Sequence, residues 1–203
     1  MMTIDPKQEI LLQAVLEEIN TFGVHGFTVD RLAQKAGVSK KTIYMHWTSK
    51  DEIVREAFKQ IQRRIFRSFQ DILDTEDNPV LQFTRMIDTA RSVIRDFNVQ
   101  VINDLKRKYP EVWEEMEAFR QEVTGIFKEI FVRAQEQGLV RKTINVHIAA
   151  ILHIAIINRL FHPEFFLTNN LTPLDTLTTY KEILIGGLLT EKGHQIIQQQ
   201  NSI

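Results

Sequence analysis

The sequence predicts an all-α protein of about nine helices, with a three-helix N-terminal unit and a larger helical C-terminal part. Three observations support this fold class. Apolar residues recur at helical spacing along most of the chain. Capping residues and prolines, which begin helices, precede these segments repeatedly. The alternating pattern of half-buried strands is not found. With 203 residues, 43% of them apolar and 25% charged, the composition is that of an ordinary globular protein.

The first helix is expected to begin at Asp5-Pro6, where aspartate caps the helix and proline takes its first position. Gln8 is placed to complete a capping-box-like pair with Asp5. Apolar residues then repeat on one face, at Ile10, Leu11, Ala14, Val15, Ile19 and Phe22. Gly23 suits the C-terminal stop.

Three more helix starts follow at short intervals. Thr28 is expected to cap a second helix and Ser39 a third. Ser49 and Glu52 form a capping box that opens a long fourth helix. The apolar stripe of that helix runs to the acidic stretch 74–77, which predicts a domain boundary.

The second half of the chain shows the same signals. Further starts are predicted at Asn78-Pro79, Pro110 and Thr172-Pro173. Gly138 is expected to end a long helix over 111–137, and Gly193 is expected to end the helix that starts at Pro173. The segment 163–171 is expected to be a loop. A helical domain over residues 75–203 is therefore predicted behind the boundary.

Composition excludes several classes of function. Cysteine is absent, so disulfides, thiolate metal sites and cysteine nucleophiles are excluded. The N-terminus lacks the apolar core of a signal peptide, and a cytoplasmic location is expected. The apolar segment 144–161 contains two histidines, an asparagine and an arginine, and it is barely long enough to span a bilayer. A buried helix is the better interpretation, and no membrane association is expected.

The charge is distributed unevenly although the net charge is only −1. Between His25 and Lys50 there are five bases (Arg31, Lys35, Lys40, Lys41 and Lys50) and one acid (Asp30), a local charge of +4. The remainder of the chain then carries −1 − 4 = −5. A small basic end on a mildly acidic body is typical of a protein with one anion-facing surface.

The segment Thr28–Trp47 has the pattern of two short helices joined at Gly37. Ile43 and Trp47, four residues apart, place one stripe of the second of these helices in the core. The outward side chains are Lys40, Lys41, Thr42, Tyr44, Met45 and His46. Because that face is rich in hydrogen-bond donors, it suits the major groove of DNA.

These residues resemble the DNA-binding region of the tetracycline-repressor (TetR) family. The matching stretches are Phe22–Val29, Ala36–Trp47 and Ser49–Glu52. The resemblance covers about residues 5–65 and implies a TetR-type DNA-binding domain there, with its helix-turn-helix motif at 28–47. Trp47 stands where phenylalanine is commoner in the family, and Lys41 stands where glycine or proline is often found.

The resemblance implies DNA-contacting roles for seven residues. Lys40, Lys41 and Thr42 are expected to reach base edges. Three other residues are expected to bind phosphates, and these are Thr28, Tyr44 and Lys50. His46 is expected to lie against the backbone or a base, with a cap at the helix C-terminus as the alternative. Outside such a motif, exposed lysines would be an ordinary solvated surface. The basic stripe of Arg55, Lys59, Arg63 and Arg67 is expected to be such a solvated face.

The C-terminal part is expected to form a pocket for a small-molecule effector, as the resemblance implies. The candidate lining residues are Phe97, Phe119, Phe127 and Phe131. Ordinary core packing is the alternative for most of these aromatic residues. An apolar or amphipathic effector would suit an apolar lining.

The helices at about 146–161 and 173–189 are expected to form a homodimer interface, because both carry small residues among isoleucine and leucine. The resemblance implies a four-helix interface here. Two-fold symmetry then predicts a pseudo-palindromic, double-stranded DNA operator. The function expected is that of a repressor which releases its operator when the effector binds.

Other classes of protein find less support. No motif of a metalloprotease, serine hydrolase or phosphate-binding loop is present, so the chain is not expected to be an enzyme, and no cofactor or metal is expected. His147 and His153 are six residues apart and point to different faces of a helix. A helical scaffold whose helix-turn-helix packs on protein remains the alternative function.

Overall fold

The computed structural model describes residues 5–95, 98–160 and 162–200. In chain order its helices are α1 (Pro6–Gly26), α2 (Val29–Ala36), α3 (Lys40–Tyr44), α4 (Lys50–Thr75), α5 (Pro79–Arg95), α6 (Val99–Lys108), α7 (Pro110–Glu136), α8 (Val146–Leu160), α9 (Pro163–Asn169), α10 (Pro173–Leu188) and α11 (Glu191–Gln200). Within these ranges the only β-type pairing is an isolated bridge between Val140 and Leu189. The all-α fold class is confirmed, with eleven helices in the described ranges instead of about nine.

Short polar residues cap four helices at the predicted positions. Their side chains accept hydrogen bonds from backbone N–H groups of the first turn: Asp5 from Lys7 at 3.1 Å, Thr28 from Arg31 at 3.3 Å, Ser39 from Thr42 at 3.1 Å and Thr172 from Asp175 at 3.1 Å. Each of these bonds satisfies an N–H that the helix itself leaves without a partner. The helix starts at Pro79, Pro110 and Pro173 are also confirmed.

The capping box of α4 differs in one detail from the prediction. Ser49 Oγ accepts from the Glu52 N–H at 3.1 Å, as expected. The Glu52 carboxylate, however, accepts from the N–H of Thr48 at 2.5 Å and from its hydroxyl at 2.6 Å. Two bonds to Thr48 thus replace the single expected bond to the N–H of Ser49. They also lower the pKa of Glu52.

Helices α6, α9 and α11 begin at positions where no helix start was predicted. Residues 163–171 were expected to be a loop, but Pro163 begins a helix and Phe166 is buried. Asn170 ends this helix with φ 52°, a left-handed conformation that asparagine adopts more readily than most residues. The Asn169-Asn170 pair is therefore a helix C-terminus and not the middle of a loop.

The prediction that Gly193 ends the helix from Pro173 was wrong. Helix α10 ends at Leu188, and Gly193 lies inside α11. A Cβ atom on Gly193 would lie 2.5 Å from the carbonyl oxygen of Leu139. Glycine is required here because α11 approaches the backbone of Leu139 too closely for any side chain.

Gly23 was predicted to end α1, but it interrupts the helix without ending it. Its φ of 74° and ψ of 167° are non-helical, and one further turn follows to Gly26. Gly138 also has a positive φ, 73°, just beyond α7. This position agrees with its predicted role in ending the long helix.

The chain divides into two compact units. The first comprises Met1–Arg64 with Asp96–Met116, and the second comprises Ile65–Arg95 with Glu117–Ile203. In the first unit the largest fully buried side chains are Leu12, Ile19, Phe27, Leu32, Ile43, Ile53, Phe58, Leu105 and Tyr109. In the second unit the core is aromatic, with Phe69, Phe83, Phe127 and Phe131 packed together with Met86 and Ile130.

No single helix within the described ranges is long and apolar enough to cross a membrane. Helices α8 and α9 meet the conditions of length and composition only as a pair, which is bent by 69°.

Candidate nucleic-acid interface

Helix α3 is fixed to the first unit by apolar side chains on one face. Ile43 is fully buried, and Trp47, just beyond the helix, is almost so. The turn before α3 contains Gly37, whose φ of 65° is a left-handed conformation that glycine adopts without strain. The N–H of Val38 bonds to the carbonyl of Ala33 at 3.0 Å and closes the turn. Helices α2 and α3 therefore form a helix-turn-helix.

The opposite face of α3 is solvent-exposed and carries cations and large side chains. Lys41 is exposed, Tyr44 is 46% exposed, and Met45 is 76% exposed. Lys40 Nζ lies 2.5 Å from Asp30 Oδ1 on α2, so that one of the two lysines is held by an ion pair within the motif. This face therefore offers an exposed cation at Lys41, a phenol and a thioether.

Two of the predicted threonines serve as parts of helix caps. Thr28 Oγ1 accepts from the N–H of Arg31 at 3.3 Å. Thr42 is half-buried, and its Oγ1 lies 2.9 Å from the Ser39 hydroxyl. A hydroxyl that accepts one hydrogen bond keeps its donor capacity, so Thr28 still has a proton to offer an acceptor.

His46 lies at a position that sequence alone does not reveal. Gln8 Nε2 on α1 donates to His46 Nδ1 at 2.9 Å, so Gln8 does not complete the capping box expected at the start of α1. The imidazole also packs against Trp47, with ring centroids 5.6 Å apart. Helix α1 thus fixes the tautomer of this half-buried histidine, because a bonded acceptor at Nδ1 leaves the proton on Nε2.

Lys50 begins α4 and is half-buried. Its Nζ donates to the carbonyl of His25 at 3.4 Å and lies 5.6 Å from the centre of the Phe27 ring. Burial is the main cause that lowers the pKa of Lys50, and the charge of Lys108 adds to it. The ammonium group is therefore near a helix N-terminus and a second cation, an arrangement that favours an anion.

Two further residues were not predicted from the sequence, namely Lys108, the last residue of α6, and Tyr109, which lies between α6 and α7. Tyr109 is buried and donates a hydrogen bond from its hydroxyl to Asp51 Oδ1 at 2.6 Å. Lys108 Nζ lies 3.9 Å from the same oxygen. The only sequence signal was the basic run 106–108, and its proximity to α4 depends on tertiary packing.

The basic stripe on α4 is largely neutralised by acids. Arg55 pairs with Glu111 at 2.8 Å, Lys59 with Glu115 at 3.4 Å, and Arg63 with Glu56 at 2.8 Å. These side chains are partly exposed, so the pairs add little stability. They do cancel much of the positive charge along this face.

Comparisons with known proteins agree with this geometry. Residues 11–57 match the model of the family described as bacterial regulatory proteins, tetR family. YvaF of Bacillus subtilis, an uncharacterized HTH-type transcriptional regulator, is 26% identical over 167 residues, which cover 82% of this chain and 87% of the relative. Residues 11–57 therefore form a DNA-binding domain of the tetR type. The chain is a DNA-binding transcriptional regulator.

Other relatives and solved structures extend the comparison beyond the motif. The HTH-type transcriptional repressor KstR2 of Mycolicibacterium smegmatis is 27% identical over 96 residues, 47% of each chain. A crystal structure of a putative transcriptional regulator from Saccharomonospora viridis in complex with choline has a TM-score of 0.69 and 17% identity, over 91% of this chain and 98% of that one. The fold of this regulator is thus shared over nearly its whole length.

The aromatic residues predicted to line an effector site lie in different surroundings. Phe127 and Phe131 are buried in the core of the second unit. Phe119 is half-buried and meets Phe66 edge-on at 6.5 Å. Phe97 lies outside the described residues. The core therefore brings two of the four candidates into direct ring contact, with centroids 6.5 Å apart.

Proposed function

We propose that this regulator is a homodimeric repressor that binds a pseudo-palindromic operator through α3 and releases it when a small molecule binds the C-terminal domain. The observation that carries the proposal is the exposed face of α3, with Lys41, Tyr44 and Met45 projecting from a helix anchored in the core. In this proposal residues 5–65 act as the DNA-binding domain, and residues 75–203 bind the effector and dimerise.

Base edges are read from the first turn of α3. Lys41 reaches a base acceptor directly, because its side chain is exposed and Nζ has only donors to offer. Lys40 joins it by exchanging its exposed partner Asp30 for DNA. Thr42 lies next to both and reaches the groove through its half-buried hydroxyl.

Phosphates are held on both sides of that turn. Tyr44 and Thr28 donate from their hydroxyls, and Lys50 adds a charge at the N-terminus of α4. His46 donates from Nε2, since Gln8 occupies Nδ1. The contacts therefore extend beyond the motif 28–47 to the start of α4.

The dimer forms through α8 and α10. The exposed face of α8 is apolar, with the large residues Ile148, Ile151, Leu152 and Ile156. Helix α10 exposes Ile183 beside the polar Thr179 and Glu182. Nothing lies within 4 Å of a Cβ built on Gly186 or Gly187, so α10 also offers a flat surface. Contiguous apolar surface of this kind on a globular chain indicates an interface, and a second copy of the chain is the partner proposed.

Repression and effector binding are supported by relatives. KstR2 of M. smegmatis is named as a repressor. The structural neighbour from S. viridis contains choline, which supports a small-molecule site in the second unit of this chain.

Selection from a pool of random DNA duplexes tests the proposal. The full-length protein is expected to enrich an inverted repeat, and binding to that repeat should weaken steeply with salt because phosphates are contacted. Removing Lys41 and the Tyr44 hydroxyl together (Lys41→Ala with Tyr44→Phe) should lower affinity by roughly 100-fold or more. Lys142→Ala, which removes an exposed charge from the second unit, is the matched control.

Failure of this selection would support the alternative function of a helical scaffold. If no sequence is enriched and the double variant binds DNA as the parent does, the helix-turn-helix packs on protein and the scaffold alternative holds. A promoter fused to the selected repeat tests repression, since reporter expression should fall when the regulator is present and should be restored by the double variant.

A further inference from the structure

Two polar side chains are buried in the second unit, one on α7 and one on α8. Arg120 on α7 is 7% exposed, and His153 on α8 is 2% exposed. Arg120 Nε donates to Asn158 Oδ1 at 2.7 Å, and His153 Nδ1 shares a 2.8 Å hydrogen bond with the Tyr180 hydroxyl. Burying a charge or an imidazole in a core costs free energy, so both groups require an explanation beyond packing.

Arg120 shares one face of α7 with an aromatic residue, Phe127. Arg120 and Phe127 are seven residues apart, which places them on the same helix face about 10 Å from each other. Asn158 on α8 faces Arg120, while His153 faces Phe127 with ring centroids 4.4 Å apart. The seam between α7 and α8 therefore has a cationic end at Arg120 and an aromatic end at Phe127.

Thr124 lies between these two ends, about one helical turn from each. Its Oγ1 is buried and has no hydrogen-bond partner in the described part of the chain. Other helical threonines of this unit donate to the carbonyl four residues earlier: Thr84 to Val80 at 3.0 Å, Thr89 to Arg85 at 2.9 Å and Thr178 to Leu174 at 2.8 Å. The Thr124 hydroxyl leaves this option unused and stays available inside the seam.

The charge at Arg120 persists at neutral pH. Burial lowers its pKa to about 10, which still leaves the guanidinium protonated. Glu117 Oε1 lies 4.0 Å from Arg120 Nη2, at the limit of an ion pair, and 3.2 Å from His162 Nε2. A carboxylate brought directly to this guanidinium would form short charge-assisted hydrogen bonds in a poorly hydrated environment, where such bonds are strong.

The aromatic end is apolar on several sides. The ring centroid of His153 lies 5.6 Å from that of Phe83 and 6.3 Å from that of Phe131. Burial lowers the pKa of His153 to about 3, so this imidazole is neutral and adds no charge. These neutral rings suit contact with an apolar body, whereas a second charge beside them would be costly to desolvate.

We propose that the seam between α7 and α8 binds an apolar carboxylate, with its carboxylate at Arg120 and Thr124 and its hydrocarbon body against Phe127 and Phe83. This inference rests on the proposed function and names the chemical class of its effector. The binding step is non-covalent. Two features of the seam specify this class of ligand. One end carries the buried cation of Arg120, and the other end is lined by neutral aromatic rings.

Titration of the full-length protein with three probes tests the head group without any substitution. Decanoate, decanol and decylammonium share one chain and differ in charge. Decanoate is expected to bind at least about tenfold more tightly than decanol and decylammonium, the difference that one charge-assisted bond supplies. Equal binding of decanol or decylammonium would overturn the proposal. Binding of decanoyl-CoA without binding of decanoate would also overturn it, since the anion would then be a phosphate outside the seam.

Variants locate the site. Arg120→Gln should abolish the preference for decanoate over decanol, and Lys128→Gln, on the exposed side of the same helix, should preserve it. Thr124→Val keeps the volume and every charge, and it should weaken decanoate binding about three- to tenfold. If Arg120→Gln does not fold, the Thr124 variant and the three-probe series still decide the question. An unchanged preference in both variants would contradict the assignment.

Failure of the carboxylate site can be distinguished from failure of the proposed regulator function. Decanoate should lower the affinity of the protein for its selected DNA repeat, and the Thr124→Val variant should require more of it. If the repeat is bound but no probe binds, only the carboxylate site is wrong. If no DNA is bound while decanoate binds at Arg120, the regulator function fails and the site stands.

Discussion

The Tyr109 hydroxyl donates a hydrogen bond of 2.6 Å to Asp51, in the first turn of α4. This bond is the main cause that lowers the pKa of Asp51, and burial raises the pKa of Tyr109 itself. The tyrosine therefore stays protonated and the aspartate ionised over the ordinary pH range. Because Asp51 follows Lys50 directly, the bond also fixes the turn that carries the proposed phosphate contact.

Tyr109→Phe is expected to lower the free energy of unfolding by about 0.5–1 kcal/mol at neutral pH, since a part-buried charge-assisted bond is lost and its carboxylate is screened by solvent. The folded-state pKa of Asp51 lies below its unfolded value, so this contribution is complete above the ordinary pKa of aspartate and disappears as the pH falls through the lowered one. The difference between parent and variant should therefore shrink in acid. Urea denaturation at neutral pH and at about pH 3 measures it.

The exposed Tyr44 supplies the control, because Tyr44→Phe removes a hydroxyl from the surface of the same unit. Its stability should match that of the parent at both pH values. A Tyr109→Phe variant as stable as the parent at neutral pH would show that the bond to Asp51 contributes nothing.

Local signals made the helix starts predictable, and long-range contacts did not follow from them. Thr28, Ser39 and Thr172 act on N–H groups within three residues, so their sequence neighbours are enough to identify them. By contrast, Gln8 meets His46 across 38 residues and Tyr109 meets Asp51 across 58. These pairs form only when helices pack against one another. The exposed side chains of α3 could therefore be predicted from the sequence, whereas the side chains that hold His46 and Asp51 in place could not.

Lys50→Met tests the proposed contact at the start of α4. Methionine keeps most of the aliphatic stem but removes the charge, so affinity should fall similarly for every DNA sequence. The slope of log K against log salt should also decrease by about one, as for the loss of one phosphate contact. Fluorescence anisotropy at several salt concentrations measures both effects.

Lys59→Met is the matched control for this experiment, because Lys59 lies on the same helix and pairs with Glu115 at 3.4 Å. Its salt slope should equal that of the parent. A Lys50 variant with an unchanged slope would exclude a phosphate contact at this position.

The proposed dimer interface is tested by Ile183→Glu on α10. Ile183 is 67% exposed in the single chain, so glutamate there should leave the fold of the protomer intact. In a dimer it would bury two unpaired carboxylates, one from each copy, and strongly weaken association. Light scattering should show a dimer for the parent and a monomer for the variant. Ile10→Glu, at an exposed position of α1, should remain a dimer, and a monomeric parent would contradict the interface.

Because His153 is buried, the stability of the protein is expected to depend on pH. Its folded-state pKa is lowered to about 3, while the unfolded imidazole titrates near 6.5. Between these values the unfolded state binds the extra proton, so stability falls as the pH drops below about 6.5, by at most about 1.4 kcal/mol per pH unit. His153→Phe should remove this part of the slope, measured by denaturation at about pH 7 and pH 5. The exposed His147, changed to Gln, should leave the slope as in the parent, and an unaltered slope in His153→Phe would refute the assignment.

Replacement by alanine is expected to have opposite effects on stability at Gly193 and at Gly125. A Cβ on Gly193 would lie 2.5 Å from the backbone oxygen of Leu139, which cannot move away as a flexible side chain would. Gly193→Ala should therefore destabilise the protein by about 1–3 kcal/mol. Nothing lies within 4 Å of a Cβ on Gly125, which is exposed in the middle of α7. Gly125→Ala should stabilise by about 0.5–1 kcal/mol, because alanine restricts the unfolded chain and favours helix. Urea denaturation of both variants compares the two signs directly, and a neutral Gly193→Ala would mean that α11 does not pack against Leu139 this closely.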